Sequence, residues 1–89
     1  MEIIFLENEN KFIAKKNGET LGELTFQKNN NLLNFNHTFV ESKARGLGVG
    51  QALVEAGASY AKNHDQLVEA SCWYAKKIFD KNYPQLLAK

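Results

Sequence analysis

The sequence predicts a mixed α/β fold of the α+β class, in the order β-β-β-β-α-β-α. Three observations carry that reading. The first half alternates apolar and polar residues in short runs separated by Asn-rich turns, the period of half-buried strands. The second half changes to an apolar recurrence at Val49, Ala52, Leu53, Ala56 and Tyr60, the stripe of an amphipathic helix. Between the halves lies Arg45-Gly46-Leu47-Gly48-Val49-Gly50-Gln51, three alternating glycines behind a basic residue.

Each element follows from its own residues. Glu2 to Leu6 is a short apolar run and reads as a strand; Glu7-Asn8-Glu9-Asn10 is a polar turn. Lys11 to Lys15 is a second strand, with Phe12 and Ala14 on one side and Ile13 on the other. Lys16-Asn17-Gly18-Glu19 contains Asn-Gly, the strongest short hairpin signal. Thr20 to Gln27 is the third strand, facing with Gly22, Leu24 and Phe26, and Lys28 to Asn31 is the next turn. In the fourth strand, Leu32 to Val40, strict alternation groups Leu33, Phe35, His37 and Phe39 against Asn34, Asn36 and Thr38. A bulge there would reverse the facing.

Glu41 to Gly46 leads into a helix from Gly48 to Asn63. Gly57 inside it costs about 1 kcal/mol against Ala, which a close helix–sheet contact would explain. Asn63-His64-Asp65 ends this helix, and Gln66 to Ala70 is a fifth strand, expected parallel to the fourth. Ser71 reads as the N-cap of a second helix, Cys72 to Lys81, and Gln85 to Lys89 as a tail beyond Pro84. The sheet is thus an antiparallel meander extended by one strand, and the glycine loop falls at a strand's carboxyl end, where open α/β sheets place ligands.

Eighty-nine residues make one domain, 1–89. The net charge of +1 argues against a nucleic-acid partner, which usually meets a basic patch. A small phosphorylated ligand needs only local charge. Cys72 is the sole cysteine, so no internal disulfide forms and a reducing compartment is expected. Met1 to Asn10 has no signal-peptide pattern and no apolar run approaches the ~18 residues of a membrane span. A cytoplasmic monomer without a membrane partner is expected.

The glycine loop opens a helix whose first N–H groups lack intrahelical partners and whose dipole is positive there, an arrangement suited to phosphate. A turn into a helix that binds nothing has the same spacing. A Walker A loop would need Gly, four residues, Gly, then Lys and Ser or Thr, and is absent. The dinucleotide pattern G-x-G-x-x-G/A fails in both registers, at Gln51 and at Leu53. What remains is Arg/Gln-x-x-Gly-x-Gly/Ala, matched by Arg45, Gly48 and Gly50.

With that loop at a strand–helix junction, the sequence resembles the GNAT acetyltransferase superfamily, above all its minimal single-domain members. The resemblance runs from Gly18 to Pro84 and rests on His37-Thr38-Phe39-Val40, on Arg45 to Gly50 and on Cys72-Trp73-Tyr74. The chain departs from those members at Ala70 and Trp73, where they often carry Pro, which leaves the shape of the segment around Cys72 open. The resemblance implies acetyl-coenzyme A as donor. Its pyrophosphate would be held by backbone N–H groups of Gly46, Leu47, Gly48, Val49, Gly50 and Gln51. Its pantetheine arm would pair with the backbone of Phe39 and Val40, and Arg45 would add charge. The implied function is N-acetyltransfer to an amine, either a small amine or a protein Lys or N-terminus. A non-catalytic coenzyme A-binding module is the alternative, and a phosphate-binding domain without coenzyme A a third.

Acyl transfer also needs proton handling and oxyanion stabilisation. Cys72, at a helix N-terminus where the dipole lowers a thiol pKa, reads as an acid for the leaving thiolate, as an acyl acceptor, or as a small buried residue. His37 reads as a general base or as a core residue between Phe35 and Phe39. Tyr74 reads as an acid or as packing. Glu41 and Glu69 are further bases or surface charges, and Lys76 and Lys77 candidates for the 3′-phosphate or a solvated face. Trp73, Ile78 and Phe79 read as packing, with Trp73 also able to line the cleft. His37, His64 and Cys72 lack the paired spacing of a zinc site, so no metal is expected.

Overall fold

Five strands form one sheet in the computed structural model, which describes residues 1–88. Each strand pairs with the next in sequence. β1 (Glu2–Leu6), β2 (Lys11–Lys16), β3 (Glu19–Asn29) and β4 (Leu32–Val40) are antiparallel, and β5 (Leu67–Ala70) runs parallel to β4. The β2–β3 hairpin turns on Asn17 and Gly18, with φ of 53° and 79°, the left-handed pair of a type I′ turn. Two helices, α1 (Val49–Asn63) and α2 (Trp73–Asn82), flank β5 in sequence.

Phe35 shows where the core sits. Its ring lies 5.5 Å from that of Phe79 in α2, and a Cβ on Gly57 of α1 would fall 2.8 Å from it. Both helices therefore cover the face of the sheet that carries Phe35, and Gly57 is the close helix–sheet contact the sequence implies. Phe12, Ala14, Leu24, Phe26 and Leu33 are buried in the same cluster. The α1 stripe is broader than its periodicity predicts. Val49 and Leu53 are buried, whereas Ala52, Ala56 and Tyr60 are half-buried, and Val54, Ala58 and Ala61 are buried as well. The reason is that α1 also meets α2, β5 and the C-terminal turn.

Strict alternation fails in β4. Thr25 pairs with His37 but Phe26 with Phe35, so Asn36 is a one-residue bulge. Thr25 Oγ1 donates to Asn36 Oδ1 at 2.6 Å. Side chains alternate with a period of two, so one inserted residue exchanges the faces beyond it. His37 and Phe39 are accordingly exposed on the sheet's outer face, and Thr38 and Val40 turn toward the helices. This corrects the grouping of His37 and Phe39 with Leu33 and Phe35.

Two further expectations change. The N-cap of α2 is Cys72 rather than Ser71, because the Ser71 hydroxyl donates to Asn34 Oδ1 on β4 at 3.0 Å. The segment after Pro84 is no free tail. Pro84–Leu86 forms a 3-10 turn, Leu87 bridges to Val68 of β5, and Ala88 N–H donates to Val68 C=O at 2.8 Å. Lys89 lies outside the described residues. Among those described, no helix is long and apolar enough to cross a membrane, and no group of three His, Cys, Asp or Glu side chains could hold a metal ion.

Candidate active site

β4 and β5 pair only from Leu32 to Phe35 and from Leu67 to Ala70. The chain then leaves the sheet, with the N–H groups of Ser71 and Cys72 both donating to Phe35 C=O at 3.2 and 3.3 Å. β4 continues to Val40 with its edge on that side unpaired. A cleft of about 550 Å³ opens in this fork. Thr38 and Val40 of β4 form one wall, Cys72, Trp73 and Tyr74 the opposite one, and the segment from Ala44 to Gln51 closes the end.

The glycine loop is shaped for its position. Gly46 and Gly48 have φ of 87° and 79°, where a Cβ is disfavoured by about 1–2 kcal/mol. Gly48 caps α1 and contributes no side chain, so the first-turn N–H groups point out of the helix without partners in it. They carry the positive end of the dipole. Gly50 is fixed by packing instead: a Cβ there would lie 2.6 Å from the Tyr74 hydroxyl. Arg45 is exposed at the cleft's rim. Gln51 and Tyr74 are shared with a neighbouring hollow of about 290 Å³, where Lys77 and Lys81 lie.

Cys72 is half-buried, and its thiol donates to Thr38 Oγ1 at 3.4 Å. Partial burial pushes the thiol pKa up, because a thiolate loses solvation there. Hydrogen bonding from the Thr38 hydroxyl and the backbone N–H groups of Ala75, Tyr74 and Thr38 outweighs this and lowers the pKa from its ordinary value. Ala75 and Tyr74 are in the first turn of α2, and neither N–H closes a cap hydrogen bond with the neutral side chain. They favour the ionised form as hydrogen-bond donors to a thiolate at the positive end of the helix.

The fork thus assembles Val40, Arg45, Gly46, Gly48, Val49, Gly50, Gln51, Cys72 and Tyr74 of the residues expected from sequence. His37 is not among them, since the bulge turns it to the outer face. Phe39 shares that face, 44% exposed, although its backbone stays on the free edge of β4. The Leu47 side chain is 63% exposed and away from the lining. Glu41 and Glu69 are exposed and line no part of the cleft; His64 stacks on Tyr60 with centroids 4.2 Å apart. Lys76 pairs with Asp80 at 2.8 Å. Ile78 and Phe79 pack in the core as expected, whereas Trp73 is 75% exposed at the cleft's rim. Thr38 and Ala44 are the lining residues that sequence reasoning missed. Only the bulge brings Thr38 there, and alternation gives no signal of it.

The family model for GCN5-related N-acetyl-transferases matches residues 11–87. The chain belongs to that family. This GCN5-related chain is 32% identical to a GCN5-like candidate N-acetyltransferase from Staphylococcus aureus, with a TM-score of 0.76 over 98% of its own length and 87% of the other. Two larger proteins share the GCN5-related fold. Ard1 from Thermoplasma volcanium is 23% identical with a TM-score of 0.65, over 72% of this chain and 45% of that one. A candidate streptothricin acetyltransferase from Bacillus anthracis, solved with acetyl coenzyme A, is 24% identical with a TM-score of 0.65, over 88% and 53%. The chain therefore spans about half the length of those two. No curated protein matches the sequence.

Proposed function

We propose that this chain transfers an acetyl group from acetyl-coenzyme A to an amine, and that Cys72 carries the acetyl group between donor and acceptor. One observation carries the role of Cys72. A thiol whose pKa is lowered by the hydrogen bonds around it lines the same cleft as the glycine loop, while the imidazole expected as base faces away. Family membership supports the reaction class.

In this reading the N–H groups of the glycine loop and α1's first turn bind the donor's pyrophosphate, with Arg45 adding charge and Lys77 of the neighbouring hollow the candidate partner of the 3′-phosphate. The free edge of β4 at Phe39 and Val40 pairs with the pantetheine arm as an added strand. The Cys72 thiolate attacks the thioester carbonyl carbon. A bond to Sγ forms, the bond to the coenzyme A sulfur breaks, and that sulfur takes a proton from the Tyr74 hydroxyl. The proton lost by Cys72 passes through solvent and restores the tyrosine. A neutral amine then attacks acetyl-Cys72, the amide forms, Sγ leaves as thiolate, and the amine's extra proton goes to water. The exposed rim at Trp73 suits an acceptor presented by another molecule, such as a protein Lys or N-terminus.

Incubation with acetyl-coenzyme A, acid quenching and peptide mass mapping is expected to find one acetyl group on Cys72. An amine panel should discharge it with release of free coenzyme A thiol, and Cys72→Ala should show neither step. Undiminished transfer by Cys72→Ala would establish direct transfer instead. Donor binding without adduct or turnover would establish a coenzyme A-binding module.

A further inference from the structure

The bulge at Asn36 decides which side chain stands beside Cys72. Unbroken alternation would turn His37 inward with Phe35; the extra residue turns Thr38 inward and sends His37 out. The bulge has its own cross-strand fastening, the 2.6 Å hydrogen bond from Thr25 to Asn36. Bulges next to reactive groups commonly re-aim a side chain in this way. Thr38 Oγ1 ends 3.4 Å from Cys72 Sγ, within the cleft.

We propose that Thr38 is a positioning residue for Cys72, its hydroxyl holding Sγ in the cleft and hydrogen-bonding the thiolate. A hydroxyl both accepts and donates. It accepts from the neutral thiol and, by rotating, donates to the ionised one, so a single contact serves both states of the sulfur. Burial alone would hold Cys72 as an unreactive thiol; the Thr38 hydroxyl opposes that effect. The other ionisable side chains of the cleft are Arg45 and Tyr74. Around it, His37 faces the far side of β4, Glu69 of β5 is exposed, and Lys76 of α2 is paired with Asp80. All of these stay the same when only Thr38 is changed. The catalytic meaning of this contact rests on Cys72 being the acetyl acceptor; the contact itself is testable without acetyl-coenzyme A.

The test is the pH profile of Cys72 alkylation by iodoacetamide in the wild type, Thr38→Val and Thr38→Ser. The rate rises with pH as the thiol ionises. Val keeps the shape and removes the hydroxyl, so the midpoint should move up by roughly half to one pH unit, slowing alkylation at neutral pH by roughly threefold to tenfold. Ser keeps the hydroxyl and should restore the wild-type profile, which loss of packing alone would not predict. A Thr38→Val profile that overlays the wild type would overturn the proposal, as would a Thr38→Ser profile displaced as far as that of Val. If Thr38→Val does not fold, Thr38→Ala takes its place: a midpoint displaced upward and restored by Ser supports the hydroxyl's role, and a wild-type midpoint refutes it. A profile that shifts as expected in a protein forming no acetyl-Cys72 would uphold the contact and refute the acceptor reading separately.

Discussion

Tyr74 leaves no room for a side chain at Gly50. A Cβ would come within 2.6 Å of the hydroxyl and 2.8 Å of the ring, so Gly50→Ala must swing that ring away from the loop. The substitution also removes a helical glycine, worth about 1 kcal/mol in α1's favour. The two effects fall on different observables. Stability should hold or rise slightly, while acetyl-coenzyme A affinity should fall about tenfold or more, about 1.4 kcal/mol, as Tyr74 is displaced from the cleft wall. The protein's one tryptophan, Trp73, is exposed beside that wall, so its fluorescence during titration with acetyl-coenzyme A measures the affinity. A variant with lower melting temperature and unaltered affinity would contradict this account of Gly50.

At the scale of elements, Gly57 gives the opposite outcome from the same substitution. Its Cβ would sit 2.8 Å from Phe35 and 3.1 Å from Leu24, two side chains with no exposed surface and no direction in which to retreat. Overpacking of this kind costs about 1–3 kcal/mol, more than the propensity gain in most of that range. Gly57→Ala should lower the melting temperature by roughly 5 °C or more for a domain of this size, with donor affinity in the folded protein near wild type. Calorimetry on the two alanine variants side by side checks both. The close approach at Gly57 was legible because a helix-weakening residue inside a strong stripe asks for a packing reason. The strands of the meander were legible for a similar reason, since Phe12 and Ala14 opposite Ile13 state the facing of β2 locally. The facing of β4 beyond Phe35 was not. It depends on which residue of β3 meets Asn36, and Thr25 is eleven positions away. The sequence places the cap of α2 one residue early because the hydroxyl of Ser71 is engaged by Asn34, a partner 37 positions distant. The cleft's floor, the glycine loop, could thus be read from local pattern, while its wall at Thr38 could not.

Across the whole molecule, the C-terminal segment closes a sheet that would otherwise end on a four-residue strand. β5 has β4 on one side; on the other, Val68 is bridged to Leu87 and accepts from Ala88 N–H at 2.8 Å. No periodicity advertises this, because the segment has no amphipathic pattern of its own and gains order only by docking. Leu86 and Leu87 are half-buried against the core, and Tyr83 meets Phe79 edge-on at 5.9 Å. Half-burial of two leucines contributes about 1 kcal/mol each, and a backbone hydrogen bond about 1 kcal/mol more. Truncation after Tyr83 should therefore cost roughly 2–3 kcal/mol, or about 10–20 °C in melting temperature at this size. It should also expose the backbone groups of β5, and an uncovered strand edge is a template for pairing with another chain. Light scattering is expected to show stronger concentration-dependent association for the truncated protein than for the full chain. Replacing Leu86 and Leu87 together with Ala keeps the backbone cover and removes the apolar contact, so it should reproduce most of the stability loss without the association. A truncated protein that melts with the full chain and stays equally dispersed would show that residues 84–88 lie on the sheet without supporting it.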